Sequence, residues 1–211
     1  MALEGKGLSF RYRRGQWLFR GFDIRIHPGE IVGLTGPSGC GKTSLARLLA
    51  GYAKPLSGHV RVDGSPLPRS GFFPVQLIFQ HPEKAVNPRW NIRQILKEGG
   101  AAEDSLLASL GIERAWLDRR PKELSGGELQ RVCIARALGP KTRYLIADEM
   151  TAMLDAITQA QIWHAVLDIA KARRLGILVI SHDEPLLEKL CHRIIHFKQA
   201  GGGSILPPGP R

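Results

Sequence analysis

A chain of 211 residues, 43% hydrophobic and 23% charged, has the size and balance of one globular domain with a sizeable core. No apolar run approaches the roughly 18–20 residues of a membrane span, and the start lacks a signal-peptide layout, so a cytosolic chain is expected. The formal net charge of +11 is heaviest in residues 1–75, which hold 11 Lys+Arg against 4 Asp+Glu, and it forms no basic block or tail. Such a field attracts nucleic acid, anionic lipid or nucleotide phosphate alike.

The segments Leu8–Tyr12 and Phe22–Ile26 alternate apolar and polar residues, the period of a half-buried antiparallel pair. Tyr12 is placed near the exposed end of its strand. It suits either a cross-strand contact or stacking on a purine base. After the turn His27–Glu30, the apolar run Ile31–Leu34 reads as a buried strand and Thr43–Ala50 as a helix ending near Gly51.

Between them lies Gly36-Pro37-Ser38-Gly39-Cys40-Gly41-Lys42-Thr43-Ser44, a glycine, four free residues, Gly-Lys and a hydroxyl residue. Glycines there let successive N–H groups converge on phosphate oxygens, and the helix N-terminus adds its partial positive charge. Lys42 would reach the β- and γ-phosphates, and the Thr43 hydroxyl would ligate Mg²⁺. Cys40, Cys133 and Cys191 are too scattered for a disulfide framework or a metal site. Cys40 reads as a small residue in a tight loop.

Ser57–Val62 and Val75–Phe79 read as further strands, the second ending at Gln80 before Pro82. From about 83 to 123 the period turns helical, over 91–98 and 101–110, with Gly99-Gly100, Gly111 and Pro121 as punctuation. That insert exceeds what a crossover between parallel strands needs and predicts a separate small lobe. Ser125 then caps a helix whose start, Gly126-Gly127, leaves backbone N–H groups open to an anion.

The strand Tyr144–Asp148 finishes in two adjacent acids, Asp148 and Glu149, at the sheet edge where α/β proteins bind ligands. Asp148 suits the Mg²⁺ side, and Glu149 suits polarising an attacking water. The helix 156–174 is expected to pack Ala156, Ala160, Trp163, Leu167 and Ala170 on the core. One more buried strand, Gly176–Ser181, brings His182 to the same edge as a candidate γ-phosphate contact. Residues 201–211, rich in Gly and Pro, predict a disordered tail.

In this order the motifs closely resemble the ATP-binding cassette (ABC) subunits of membrane transporters. The resemblance covers the aromatic-loop position (Tyr12), the Walker A loop (Gly36 to Ser44), the Gln-loop (Gln80) and the signature (Leu124 to Gln130). It continues through the Walker B strand with its Glu (Tyr144 to Glu149), the D-loop (Asp155) and the switch His (His182). It implies an α/β P-loop NTPase core with a mainly parallel sheet, an N-terminal antiparallel β subdomain and an inserted helical subdomain. The single cassette would divide into 1–80 and 131–200 as core and 81–130 as the helical part.

The resemblance further implies ATP and Mg²⁺ as cofactors and a nucleotide-sandwich dimer, in which Ser125, Gly126 and Gly127 of one subunit close on ATP held by the other. Gln80 would contact Mg²⁺ beside Thr43 and Asp148, Glu149 would align water, and His182 would hold the γ-phosphate. Implied partners are a second cassette, the same or different, integral membrane permease subunits, and, indirectly, an extracytoplasmic substrate-binding protein. The implied place is the cytoplasmic face of the inner membrane, and no nucleic acid is expected.

Phe79-Gln80-His81-Pro82 followed by Asn87-Pro88-Arg89 is similar to the peptide and nickel importer branch. Four positions depart from the usual pattern: Met150 for Pro, Ala152-Met153 for Ser-Ala, and Glu128 for Gln. None removes a charge or proton carrier that hydrolysis needs. A soluble cassette ATPase acting on ribosomes or DNA is the alternative, favoured by the basic balance but lacking its usual second cassette or inserted arms. A small-molecule kinase would leave Ser125–Gly127 and Glu149 without a role.

Overall fold

The computed structural model describes residues 1–13, 15–101, 103–198 and 204–206. Strands β1 (Leu3–Phe10) and β2 (Phe19–Ile26) pair antiparallel, with Leu3 opposite Ile26 and Phe10 opposite Phe19. Tyr12 therefore lies beyond the end of β1, in the connecting hairpin, and not on the strand as its alternation suggests. Strand β3 (Ile31–Thr35) leads through the glycine loop into helix α1 (Lys42–Leu49), which ends at Gly51 with φ 80°. Strands β4 (Ser57–Val62) and β5 (Ser65–Pro66) complete a four-stranded antiparallel sheet ordered β2-β1-β4-β5.

Strand β6 (Val75–Ile78) opens the second half, followed by α2 (Ile92–Glu98), α3 (Asp104–Ser109) and α4 (Gly126–Ala137). Asn91 caps α2 through a reciprocal pair with Gln94, at 2.9 and 3.0 Å. Helix α3 is shorter than the 101–110 expected, because Asp104 opens it and Gly111, at φ 64°, ends it. Then follow β7 (Tyr144–Asp148), α5 (Ala156–Arg173), β8 (Gly176–Ile180), α6 (Glu184–Leu190), β9 (Arg193–His196) and β10 (Ser204–Leu206).

The second sheet runs β10-β9-β3-β8-β7-β6, with all neighbours parallel except the β10–β9 pair. Strand β10 lies within the tail expected to be disordered from 201. Ser204 pairs with His196 there and Leu206 with Ile194. The rest of that tail is outside the described residues.

Every residue of β7 and β8 is buried, which explains why both read as continuous apolar runs without alternation. The pleat nonetheless divides them. Ile146, Leu178 and Ile180 face α1 and the antiparallel sheet, among Leu34, Leu45, Leu49 and Phe19. Leu145, Ala147, Ile177 and Val179 face α4 and α5, among Val132, Ile162, Trp163 and Val166.

The helical insert was expected to be a separate lobe, but its buried residues Ile92, Ile95, Leu106, Leu110 and Trp116 belong to this second core. Its junction with the sheet domain is tight. A Cβ on Gly99 would meet the Arg136 carbonyl oxygen at 2.1 Å, and one on Gly139 would meet that of Gly99 at 1.8 Å. The apolar face expected on α5 is displaced: Ile162, Trp163, Ala165, Val166 and Ala170 are buried, while Ala156 and Ala160 are exposed. The first turn of α5 projects from the core, leaving Ile157 72% and nearby Met153 65% exposed.

Candidate functional site

The parallel register brings the motifs to one line. Ile180 is paired with Leu34 on one side and with Asp148 on the other, and Ile78 is paired with Ala147. The segments that leave β3, β6, β7 and β8 therefore begin side by side at the carboxyl ends of their strands. They carry the glycine loop, Gln80, Glu149 and His182 respectively.

The glycine loop owes its shape to residues without side chains. Gly36 has φ 152°, and a Cβ there would meet the Phe197 carbonyl oxygen at 2.4 Å. Gly41, at φ 110°, precedes α1 with no side-chain cap, so the first N–H groups of α1 stay available to an anion. Pro37, Ser38 and Gly39 form the exposed crest, while Cys40 and Ser44 are buried beneath it. Lys42 is only 6% exposed and folds back across the loop, donating to the carbonyls of Gly36 at 2.7 Å and Pro37 at 2.9 Å. Its ammonium thus stands over the cradle.

Asp148 is 6% exposed at the end of β7. Burial pushes its carboxyl above the ordinary range; the Thr43 hydroxyl hydrogen bond opposes that shift, Glu149 adds to it, and Arg47 and Lys42 oppose it. The exposed Thr43 hydroxyl and the Asp148 carboxylate place two hard oxygen donors together. Mg²⁺ takes such donors with phosphates and waters filling its octahedron, so the pair fits that ion. Gln80 is half-buried at the end of β6.

Glu149 adopts φ 51°, a left-handed conformation uncommon for a side-chain-bearing residue, and its N–H donates to Ile180 at 3.0 Å. The turn aims its carboxylate at His182, whose Nε2 lies 3.1 Å from Glu149 Oε1. The two residues predicted from separate strands are thus in direct contact.

Tyr12 reaches the site from the antiparallel sheet. Its hydroxyl lies 3.0 Å from Ser44 Oγ, its ring meets Phe10 edge-on at 5.0 Å, and it is 53% exposed. The same hairpin holds Trp17 between the guanidinium groups of Arg11 at 4.7 Å and Arg20 at 5.0 Å. Sequence reasoning passed over this sandwich, although a lone Trp among four arginines was its visible signal.

The remaining predicted residues are at helix starts. Ser125 caps α4 in a reciprocal pair with Glu128, at 3.3 and 2.6 Å, and Ser125 and Gly126 are exposed. Among the described side chains, Ser125 is hydrogen-bonded to Glu128 alone. Asp155 caps α5 by accepting from Ile157 at 3.1 Å and Thr158 at 2.9 Å; the Thr158 bond, foremost, lowers its pKa.

Three buried contacts that pattern reading missed brace the loop after Glu149. Thr151 Oγ1 accepts from Gln159 at 3.1 Å and from the Trp163 indole at 3.2 Å, and Gln130 Nε2 donates to the Met150 carbonyl at 2.7 Å. Trp163 packs in the core as expected and also carries one of these bonds.

Known proteins resemble this chain throughout. The family model described as ABC transporter matches residues 19–152. The nickel import ATP-binding protein NikE of Escherichia coli (strain K12) is 35% identical, the match covering 92% of this chain and 82% of that protein. NikE of Rhodospirillum rubrum is 38% identical over 89% of this chain and 73% of its own length. Among solved structures, the ATP-binding cassette MJ0796 in a dimeric post-hydrolysis state bound to ADP and Pi superposes with a TM-score of 0.83. That match covers 99% of this chain and all of the other at 23% identity, a likeness of fold. CbiO1 of Clostridium perfringens, part of the ABC transporter complex cbiONQ, gives 0.78 at 24% identity over 97% of this chain and 86% of that one.

Proposed function

The chain belongs to the ABC transporter family and is an ATP-hydrolysing, ATP-binding subunit, and from that premise we propose that it powers an importer of nickel or of a metal chelate. The observation that carries the cargo reading is the identity of 35% to 38% with NikE proteins across nine-tenths of the chain. Short peptides are the neighbouring cargo class, because the Asn87-Pro88-Arg89 segment is common to both kinds of importer. No helix among the described residues is long and apolar enough to cross a membrane. In this reading the conduit belongs to permease subunits, on whose cytoplasmic side this chain docks.

In this reading Tyr12 stacks on the adenine and residues 36–44 wrap the phosphates. Lys42 exchanges its two loop carbonyls for phosphate oxygens, losing little because both kinds of partner accept from an ammonium. Thr43, Asp148 and Gln80 hold Mg²⁺, which neutralises phosphate charge when bound. Glu149 orients the attacking water, and His182 leaves Glu149 to contact the γ-phosphate. The exposed start of α4 supports a two-subunit site: Gly126 and Gly127 offer N–H groups to an anion beside the Ser125 side chain, and among the described residues no phosphate loop of the same chain is bonded to them. Asp155 and the projecting Met153 and Ile157 then meet the second cassette.

Two experiments test this. Glu149→Gln should keep ATP affinity and lower hydrolysis by about 10²-fold or more, measured as phosphate release; turnover at the unaltered rate would remove Glu149 from the mechanism. Reconstitution with the permease and binding-protein subunits of a nickel importer should give ATP-dependent uptake of radioactive nickel. Uptake of dipeptides instead would move the cargo to the peptide class, and RNA-stimulated hydrolysis without permease would overturn the transport reading.

A further inference from the structure

Helix α4 does more than present Ser125. Along one face, at residues 130, 133 and 136, it donates to three carbonyls of the segment that carries Gln80. Gln130 Nε2 reaches Phe79 O at 3.4 Å, Cys133 Sγ reaches Pro82 O at 3.7 Å, and Arg136 Nη1 reaches Ala85 O at 2.6 Å. Donors three residues apart on a helix face meet acceptors three residues apart along the segment. Burial keeps Cys133 a protonated donor, with its thiol pushed up to about 11.

Gln130 alone among these also reaches the other side of the site, through its 2.7 Å bond to Met150 O, directly after Glu149. It is 3% exposed, and its Oε1 is buried without a hydrogen-bond partner among the described residues. The amide can face only one way, since both neighbours are carbonyls and only its nitrogen can donate to them. A buried acceptor without a donor is destabilising. An apolar side chain of the same length would remove that defect but leave the Phe79 and Met150 carbonyls without this donor. What sets the amide apart is that one nitrogen joins two segments that each carry a candidate site residue.

We propose that Gln130 is a positioning residue for ATP hydrolysis: its single amide nitrogen sets the segment carrying Gln80 against the loop carrying Glu149, and slaves both to the helix that begins at Ser125. Closure of a second subunit on Ser125 displaces α4, and the shared amide passes that displacement to both loops together. The inference rests on the reading of Glu149 as the group that orients water and of Ser125 as the contact of a second subunit, and it is independent of the cargo.

The test is steady-state hydrolysis and ATP affinity of the full chain carrying Gln130→Met, alongside Glu149→Gln, Gln80→Ala and the Gln80→Ala/Gln130→Met pair. Gln130→Met should lower kcat between about 10- and 100-fold, as small misplacements of a reacting group do, with ATP Kd nearly unchanged and a melting temperature lowered by only a few degrees. The pair should lose less than the product of the two single losses, because both act on one arrangement. Unchanged kcat in Gln130→Met would overturn the proposal, as would a loss that tracks weakened ATP binding. A Gln130→Met chain that unfolds also overturns it, since the amide then holds the fold and not the site. If Glu149→Gln itself hydrolyses ATP normally, the underlying reading of Glu149 fails; if only Gln130→Met does, the fault lies with the positioning role alone.

Discussion

Two helix starts in this molecule offer backbone N–H groups to an anion, and they are finished differently. Helix α1 begins at Gly41 with no side-chain cap and no acidic residue in its first turn, and Lys42 crosses the loop before it. Helix α4 begins at Ser125 with a complete capping box, and the acidic Glu128 is in its first turn. The first is open and positively charged, so it can collect phosphate unaided. The second is satisfied from within: Glu128 accepts from the Ser125 N–H, and Ser125 Oγ accepts from the Glu128 N–H. Only the intervening glycine N–H groups remain for a guest. On the proposed function, one end holds the nucleotide and the other covers a nucleotide held by a second subunit.

That contrast breaks most sharply at Lys42. Lys42→Ala should weaken ATP binding by about 10- to 100-fold, the value of a charge-assisted hydrogen bond, in a fluorescent-nucleotide titration. Ser125→Ala should leave ATP affinity of the dilute chain intact and cost about 1 kcal/mol of stability, lowering the melting temperature by about 2–4 °C. A fall in monomer ATP affinity with Ser125→Ala would mean that both ends serve one bound nucleotide within a single chain. Glu128→Gln should have a smaller effect on folding, a few tenths of a kcal/mol, because the charge at the helix start is lost while the box is kept. It should also strengthen ATP-driven dimerisation severalfold in sedimentation, since a carboxylate no longer stands beside incoming phosphate.

The smallest effect lies just ahead of β3, at Glu30. Burial opposes ionisation of Glu30, but the Arg193 hydrogen bond at 2.7 Å and the His27 N–H at 2.8 Å outweigh it and hold its pKa below the ordinary 4.5. The folded chain thus binds that proton less readily than the unfolded chain. The stabilisation is present above the ordinary value and disappears as pH falls through the lowered one. Melting temperatures of the unaltered chain and Glu30→Gln should differ at pH 7 and converge on acidification below 4.5.

Much of this was legible in the residues themselves. The glycine loop announces itself because phosphate chemistry demands glycine, lysine and a hydroxyl at fixed spacing. Asp148 and Glu149 stand out because two acids ending an apolar strand serve no packing need. What period and composition hid were contacts between distant segments. Nothing local distinguishes Gln130 from a surface glutamine; a polar residue three and six positions before Cys133 and Arg136 gains meaning only when residues 79–85 lie alongside. The exposed start of α5 was misread because an apolar stripe says that a face is covered and not what covers it. Ala156 and Ala160 were assigned to this chain's own core when the helix end carrying them stands outside it. Strand β10 escaped notice because glycine and proline flank it, and its pairing depends on the free edge that β9 supplies.

The crossing of Gly99 and Gly139 also limits how cassettes of this kind can be recombined. Transplanting the helical insert, to make the motor answer to a foreign permease, would move Gly99 into a new host while Gly139 remains behind. Gly139 admits no methyl group against the Gly99 carbonyl, and Gly99 admits none against the carbonyl of Arg136, which also stays behind. A chimaera cut between them works only if donor and recipient both carry glycine at that seam, so the two junctions of an exchange are fixed jointly. Engineering this motor toward other cargo therefore starts with two hydrogens.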